Sequence, residues 1–125
     1  MVKSQADEVY LKDQIFEKLS EKREVSPEEL TFLAAVATLN PVEAVSAVRM
    51  LGCIGEDGLA PQCDVRRLLL DLLPNRSAAV RVAVISAFWQ MSDYCVLPHL
   101  RQAAERENVI EVRRTLEHAI RVLED

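Results

Sequence analysis

Apolar residues recur at three- and four-residue spacing along most of the chain, and polar punctuation divides them into seven helical segments. Ala6 to Lys22 carries Val9, Tyr10, Ile15, Phe16 and Leu19, a one-sided stripe that suits a helix lying over the end of a core. Ser26-Pro27-Glu28-Glu29 has a side-chain acceptor, then Pro at the first helical position, then Glu three residues after the Ser. That capping box predicts a helix through Thr38. Asn40-Pro41-Val42-Glu43 repeats the device almost at once, so two antiparallel helices must be joined by a short turn. Further helices are expected over Pro61–Leu73, Ser77–Met91, Asp93–Arg106 and Val109–Leu123, broken at Pro74-Asn75, Ser92-Asp93 and Glu107-Asn108. All three glycines fall between Gly52 and Gly58, which predicts the longest loop there. Pro98 stands a turn into its segment and should bend that helix.

The chain is also similar to itself. Val80-Arg81-Val82-Ala83-Val84-Ile85-Ser86-Ala87-Phe88 returns 32 residues later as Val112-Arg113-Arg114-Thr115-Leu116-Glu117-His118-Ala119-Ile120, with apolar and small positions coinciding. Val45 to Leu51 matches Ile85 to Met91 at an offset of 40, the extra length being assigned to the glycine loop. Three stacked helical hairpins follow, over 26–53, 61–91 and 93–123, with 6–22 as a cap.

Val96-Leu97-Pro98-His99-Leu100, a polar turn, then Val112-Arg113 followed by Leu116, Ala119 and Ile120 resembles the HEAT repeat of the HEAT/PBS-lyase type. The resemblance covers roughly residues 26–123. It implies an all-α, right-handed α-α superhelix, a bend in the first helix of a hairpin at the Pro, and a Val-Arg pair opening the second. The middle hairpin keeps Val80-Arg81, and the first has lost the pair. Asn75 and Glu107 stand nearest the family's usual turn Asp, so the Asp-Arg hydrogen-bond ladder of the family is not expected in its usual form.

Half of the 125 residues are apolar, enough for a core, and the formal charge of −5 argues against nucleic acid, whose binding needs a clustered basic surface. The N-terminal stretch alternates charge with apolar residues, so neither a leader nor a membrane span is expected, and the chain is assigned to the cytoplasm. Lys3, Lys12, Lys18 and Lys22 are all the lysines, and every later cation is Arg, the residue better suited to fixed ion pairs. Cys53, Cys63 and Cys95 match no zinc or redox spacing and are expected to be reduced and mostly buried. His99 and His118 lack a second histidine at ligand spacing, Glu56-Asp57 supplies too few oxygens for calcium, and no nucleophile elbow or phosphate loop occurs. No catalytic residue, metal or cofactor is therefore expected.

What remains is surface. Helical-wheel placement sends Val80, Val84, Ala87, Phe88 and Met91 to a core shared with Val112, Leu116, Ala119, Ile120 and Leu123. The opposite side carries Val45 and Arg49, then Arg81, Ile85 and Trp89, then Arg113, Arg114, Glu117 and Arg121. Arg49, Trp89 and Arg121 occupy equivalent repeat positions, and Trp and Arg are the residues most enriched at binding hot spots. The expected protein-binding residues are thus Arg49, Arg81, Ile85, Trp89, Arg113, Glu117 and Arg121. Arg113, Arg114 and Arg121 are expected to pair locally with Glu111 and Glu117.

Charge and size point to an acidic inhibitor masking a basic partner, such as a toxin or nuclease domain, as an immunity protein would. Its acids would be Asp7, Glu8, Asp13, Glu17, Glu28, Glu29, Glu56 and Asp57. The resemblance also implies pigment binding in the manner of a bilin lyase, or a grip on bent DNA in the manner of repeat-built glycosylases. The expected assembly is a monomer or weak homodimer, the latter through apolar residues of the last helix.

Overall fold

The computed structural model describes the backbone from residue 5 and side chains from residue 11. The expected roles of Lys3, Asp7, Glu8, Val9 and Tyr10 therefore lie outside the described side chains. Among the described residues the chain is all-helical: α1 (Gln5–Glu21), α2 (Pro27–Val36), α3 (Pro41–Asp57), α4 (Gln62–Leu72), α5 (Ala78–Gln90), a 3-10 turn (Tyr94–Val96), α6 (Leu97–Arg106) and α7 (Ile110–Glu124).

The starts of these helices are chemical. Ser26 Oγ accepts from Glu29 N–H at 3.2 Å while the Glu29 carboxylate accepts from Ser26 N–H at 2.9 Å, completing the capping box. Asn40 Oδ1 accepts from Glu43 N–H at 3.0 Å ahead of Pro41, and Ser77 caps α5. The segment expected as one helix is divided next to Pro98 into the 3-10 turn and α6. Pro98 lies in the first turn of α6, after the 3-10 turn, where a missing N–H costs no helical hydrogen bond.

The expected glycine loop is not a loop. α3 runs through Gly52 and Gly55 and stops only at Gly58, which takes the left-handed conformation (φ 68°) of a helix C-cap. The reason is tertiary. A Cβ at Gly52 would lie 3.1 Å from the Ala87 Cβ, and one at Gly55 would lie 2.6 Å from the Met91 sulfur, so both glycines mark where α3 presses on the α5 region. The additional turn, 17 residues in α3 against 13 in α5, takes up the length assigned to a loop.

α3, α5 and α7 lie side by side, α3 against α5 and α5 against α7. α2 packs on α3, α4 on both α3 and α5, and α6 on α7, while α1 lies against α3. The buried residues form one cluster, with Ile15, Leu51, Ile54, Leu69, Phe88 and Leu116 all 1 % exposed or less. Ion pairs tie elements that the core brings together. Lys12 of α1 pairs with Glu43 of α3, and Lys18 of α1 with Glu29 of α2 at 2.6 Å. Arg66 of α4 meets Asp93 at 2.7 Å, and Arg101 of α6 meets Glu124 of α7 at 2.7 Å.

No helix among the described residues is long and apolar enough to cross a membrane.

Candidate protein-binding face

Three concavities open over α3, α5 and α7 and run into one another. The largest, about 840 Å³, follows α3 from Pro41 to Asp57, with Phe16 and Leu19 of α1 on one side and Ala79 of α5 on the other. Val42, Val45, Ser46, Arg49, Cys53 and Asp57 line it at three- and four-residue spacing, one continuous stripe of α3. It is open and apolar: Val42 is 80 % exposed and Phe16 66 %. A second cavity of about 470 Å³ shares Val45, Arg49 and Ala79 with the first and continues across Val82 and Ser86 to Glu111 of α7. The third, about 320 Å³, shares Val82 and Ser86 and ends at Trp89, Arg114 and His118. Small side chains at Ala79, Ala83, Ser46 and Ser86 leave the space between the helices open, and depressions of this kind admit the side chains of another molecule.

The residues expected on this face divide into three groups. Arg49 is exposed and lines the first two cavities, and Trp89, 43 % exposed, lines the third with its ring edge-on to His118 at a centroid distance of 4.9 Å. Ile85 also borders the third cavity, but at 1 % exposed it is a core residue that forms the floor and not a projecting contact. α5 is packed against α3, α4 and α7, so the side that a wheel leaves free is largely covered.

Arg81 and Arg113 are occupied elsewhere. Arg81 makes a two-pronged ion pair with Glu107, Nε to Oε1 at 2.8 Å and Nη2 to Oε2 at 3.0 Å, and its Nη1 donates to the carbonyls of Asn75 (2.8 Å) and Arg76 (3.0 Å). Arg113 donates to the Glu107 carbonyl. Glu117 and Arg121 are exposed on α7 and line none of the three cavities. Among the described residues no ion pair joins Arg113, Arg114 or Arg121 to Glu111 or Glu117.

The proposed acids do not gather on the face either. Glu29 is 6 % exposed and held by Lys18 and Ser26. Burial acts to raise its carboxyl, but the Lys18 and Ser26 hydrogen bonds together keep it below the usual range. Glu56 accepts from the Gln90 amide, and of the named acids whose side chains are described, Asp57 alone lines a cavity of this face. The cysteines are free but not mostly buried. Cys53 is half-buried, and Cys63 in the first turn of α4 and Cys95 in the 3-10 turn are exposed.

Sequence reasoning missed Phe16, Val42, Val82, Ser46, Ser86 and His118. The signal was present: the repeat offsets that align Arg49, Trp89 and Arg121 also align Ser46, Ser86 and His118, and Val42, Val82 and Arg114. Val82 and Ser86 are shared between the second and third cavities, Arg114 and His118 line the third, and Ser46 and Val42 line the first, Val42 being the most exposed apolar residue of the stripe. Comparison of the chain with protein-family models, curated proteins and solved structures found no match.

Proposed function

We propose that this chain is a non-enzymatic protein-interaction module. It is read as a short right-handed α-α superhelix of three HEAT-like hairpins capped by α1, which receives a segment of a partner protein along α3, α5 and α7. The adjacency of α3, α5 and α7 and the internal repeats support the architecture. The observation that carries the function is the open apolar groove along α3, where Val42 and Phe16 stand 80 % and 66 % exposed. A contiguous apolar surface of this kind is costly in water and marks a place where something docks. Because α3, α5 and α7 lie side by side, a segment crossing them covers two interhelix steps of about 10 Å, the length of about 13 residues of amphipathic helix. Because Glu29 and Glu56 are engaged within the chain, docking rests on apolar contact more than on masking by acids.

Tagged wild type, Val42→Asp, Trp89→Ala and the distant control Gln102→Asp are purified from the source cells, and their companions identified. Val42→Asp and Trp89→Ala lose a stoichiometric polypeptide that the wild type and Gln102→Asp retain, with at least about a tenfold fall in affinity expected for a charge set into an apolar contact. Melting should change little for Val42→Asp, whose side chain is 80 % exposed, while Trp89→Ala, at 43 % exposed, should melt somewhat lower but remain folded. Retention of the same companion by both face variants contradicts the proposal.

A further inference from the structure

The third cavity has a chemistry that the rest of the face lacks. Arg114 and His118 stand one turn apart on α7 and line it together with Ser86 and Trp89, and among the described residues no carboxylate lines it. The acids of the face, Asp57 and Glu111, line the other two cavities. Arg114 is exposed and enters none of the ion pairs of the described residues. Thr115 also borders the cavity, but its hydroxyl already donates to the Glu111 carbonyl at 2.9 Å. Arg114, His118 and Ser86 stand at its border, the wall being otherwise apolar, and the Trp89 indole meets the His118 ring edge-on. On a chain with a net charge of −5, a guanidinium outside the ion pairs of the described residues, with no described acid beside it in the cavity, favours an anion there.

We propose that this cavity anchors one Asp or Glu side chain of the docked partner segment, Arg114 pairing with the carboxylate, His118 donating a hydrogen bond, and Trp89 walling the pair from water. The inference rests on the reading of this face as a protein-binding surface and adds the partner's chemistry. A guanidinium fits a carboxylate with two parallel hydrogen bonds, and the indole wall strengthens them by lowering the local dielectric. The cavities being continuous, the same segment lays apolar side chains over Val42 and Phe16 and brings its acid to the α7 end. Two interhelix steps of about 10 Å separate α3 from α7, a span of about 13 residues of helix.

Trp89 is the only tryptophan, so its emission reports on this cavity alone. The probes are capped amphipathic Leu/Ala peptides of about 13 residues that carry Glu, Gln or phosphoserine at one position near one end, and inorganic phosphate and acetate by themselves. The Glu peptide should shift the Trp89 emission and bind about tenfold more tightly than the Gln peptide, as expected when a charged hydrogen-bonded pair is lost. Arg114→Gln should bring the Glu peptide to the level of the Gln peptide and leave the Gln peptide unchanged. Equal binding of Glu and Gln peptides by the wild type overturns the anchor while leaving the docking surface standing. An equal loss of both in Arg114→Gln overturns it by showing that Arg114 supports the fold or the groove. Preference for phosphoserine, or displacement of the Glu peptide by phosphate or acetate alone, would make this a general anion site and overturn the assignment to a side-chain carboxylate. Absence of any response to the peptides also counts against the anchor, and the co-purification of face variants then judges the docking surface separately.

Discussion

Arg81 stands where pattern places a binding residue, yet its guanidinium joins two turns. It reaches back to the Asn75 and Arg76 carbonyls ahead of its own helix and forward to Glu107 ahead of α7. Asn75 and Glu107 also hold their own turns. Asn75 Oδ1 accepts from Ser77 N–H at 2.9 Å, and Glu107 Oε2 accepts from Val109 N–H at 3.1 Å. Arg81 thus bridges two turns that are each closed by their own side chain. The Arg81 hydrogen bonds, against a smaller opposing effect of burial, hold the Glu107 carboxyl below its ordinary range. A lowered folded value means that the pair's contribution is fully present above the unfolded carboxyl's value and disappears as pH falls through the folded one. Glu107→Gln should therefore cost about 1–3 kcal/mol near neutral pH. Its deficit against the wild type should shrink as pH falls below the ordinary value of 4.5, read as the gap between the two melting temperatures across an acid series. A gap that stays constant with pH would show that the Arg81–Glu107 pair is not what the substitution removes.

At the scale of elements, α3 shows what a sequence displays and what it hides. Its start was legible because Asn40, Pro41 and Glu43 act on backbone groups within one turn. Its length was not, because Gly52 and Gly55 answer to Ala87 and Met91, some 35 residues away, and only a folded chain brings them together. In isolation two glycines three apart look like a helix end. α5 posed the converse difficulty. Val80, Val84, Ile85, Ala87 and Phe88 are buried and Val82 and Ala83 half-buried, so a helix apolar nearly all round has no clear free side, and Ile85 borders the third cavity while being buried. The amphipathic α7 posed none: Val112, Leu116, Ala119 and Leu123 are buried as its spacing required. For α3 the consequence is measurable. Gly52→Ala gains about 1 kcal/mol of helix propensity, but the new methyl lies 3.1 Å from the Ala87 Cβ, which a rigid helix face cannot easily yield. Overpacking costs about 1–3 kcal/mol, so the net effect should be a loss, and Gly52→Val, with two further methyls, should lose more. Chemical denaturation of the two variants measures it, and a more stable Gly52→Ala would mean that α3 and α5 are less tightly apposed than described.

Over the whole molecule, most of the ion pairs lie apart from the open apolar surface. The side of α4 and α6 and the turns hold Arg66–Asp93, Arg81–Glu107 and Arg101–Glu124, while the face of α3, α5 and α7 holds the apolar stripe, the small residues, and Arg49 and Arg114, which enter no ion pair among the described residues. Leu123 is buried, so the last helix offers less apolar surface for self-association than its sequence suggests, although Ile110 and Val122 remain exposed. The division makes the location of partner contact the decisive quantity. A photo-crosslinking amino acid is placed, in separate proteins, at Val42 and Val82 on the groove face and at Arg67 and Gln102 on the first helices α4 and α6. Irradiation in the source cells should join one and the same polypeptide to positions 42 and 82 and leave positions 67 and 102 without it. Crosslinks confined to 67 and 102 would contradict the account, and so would different proteins captured at 42 and at 82.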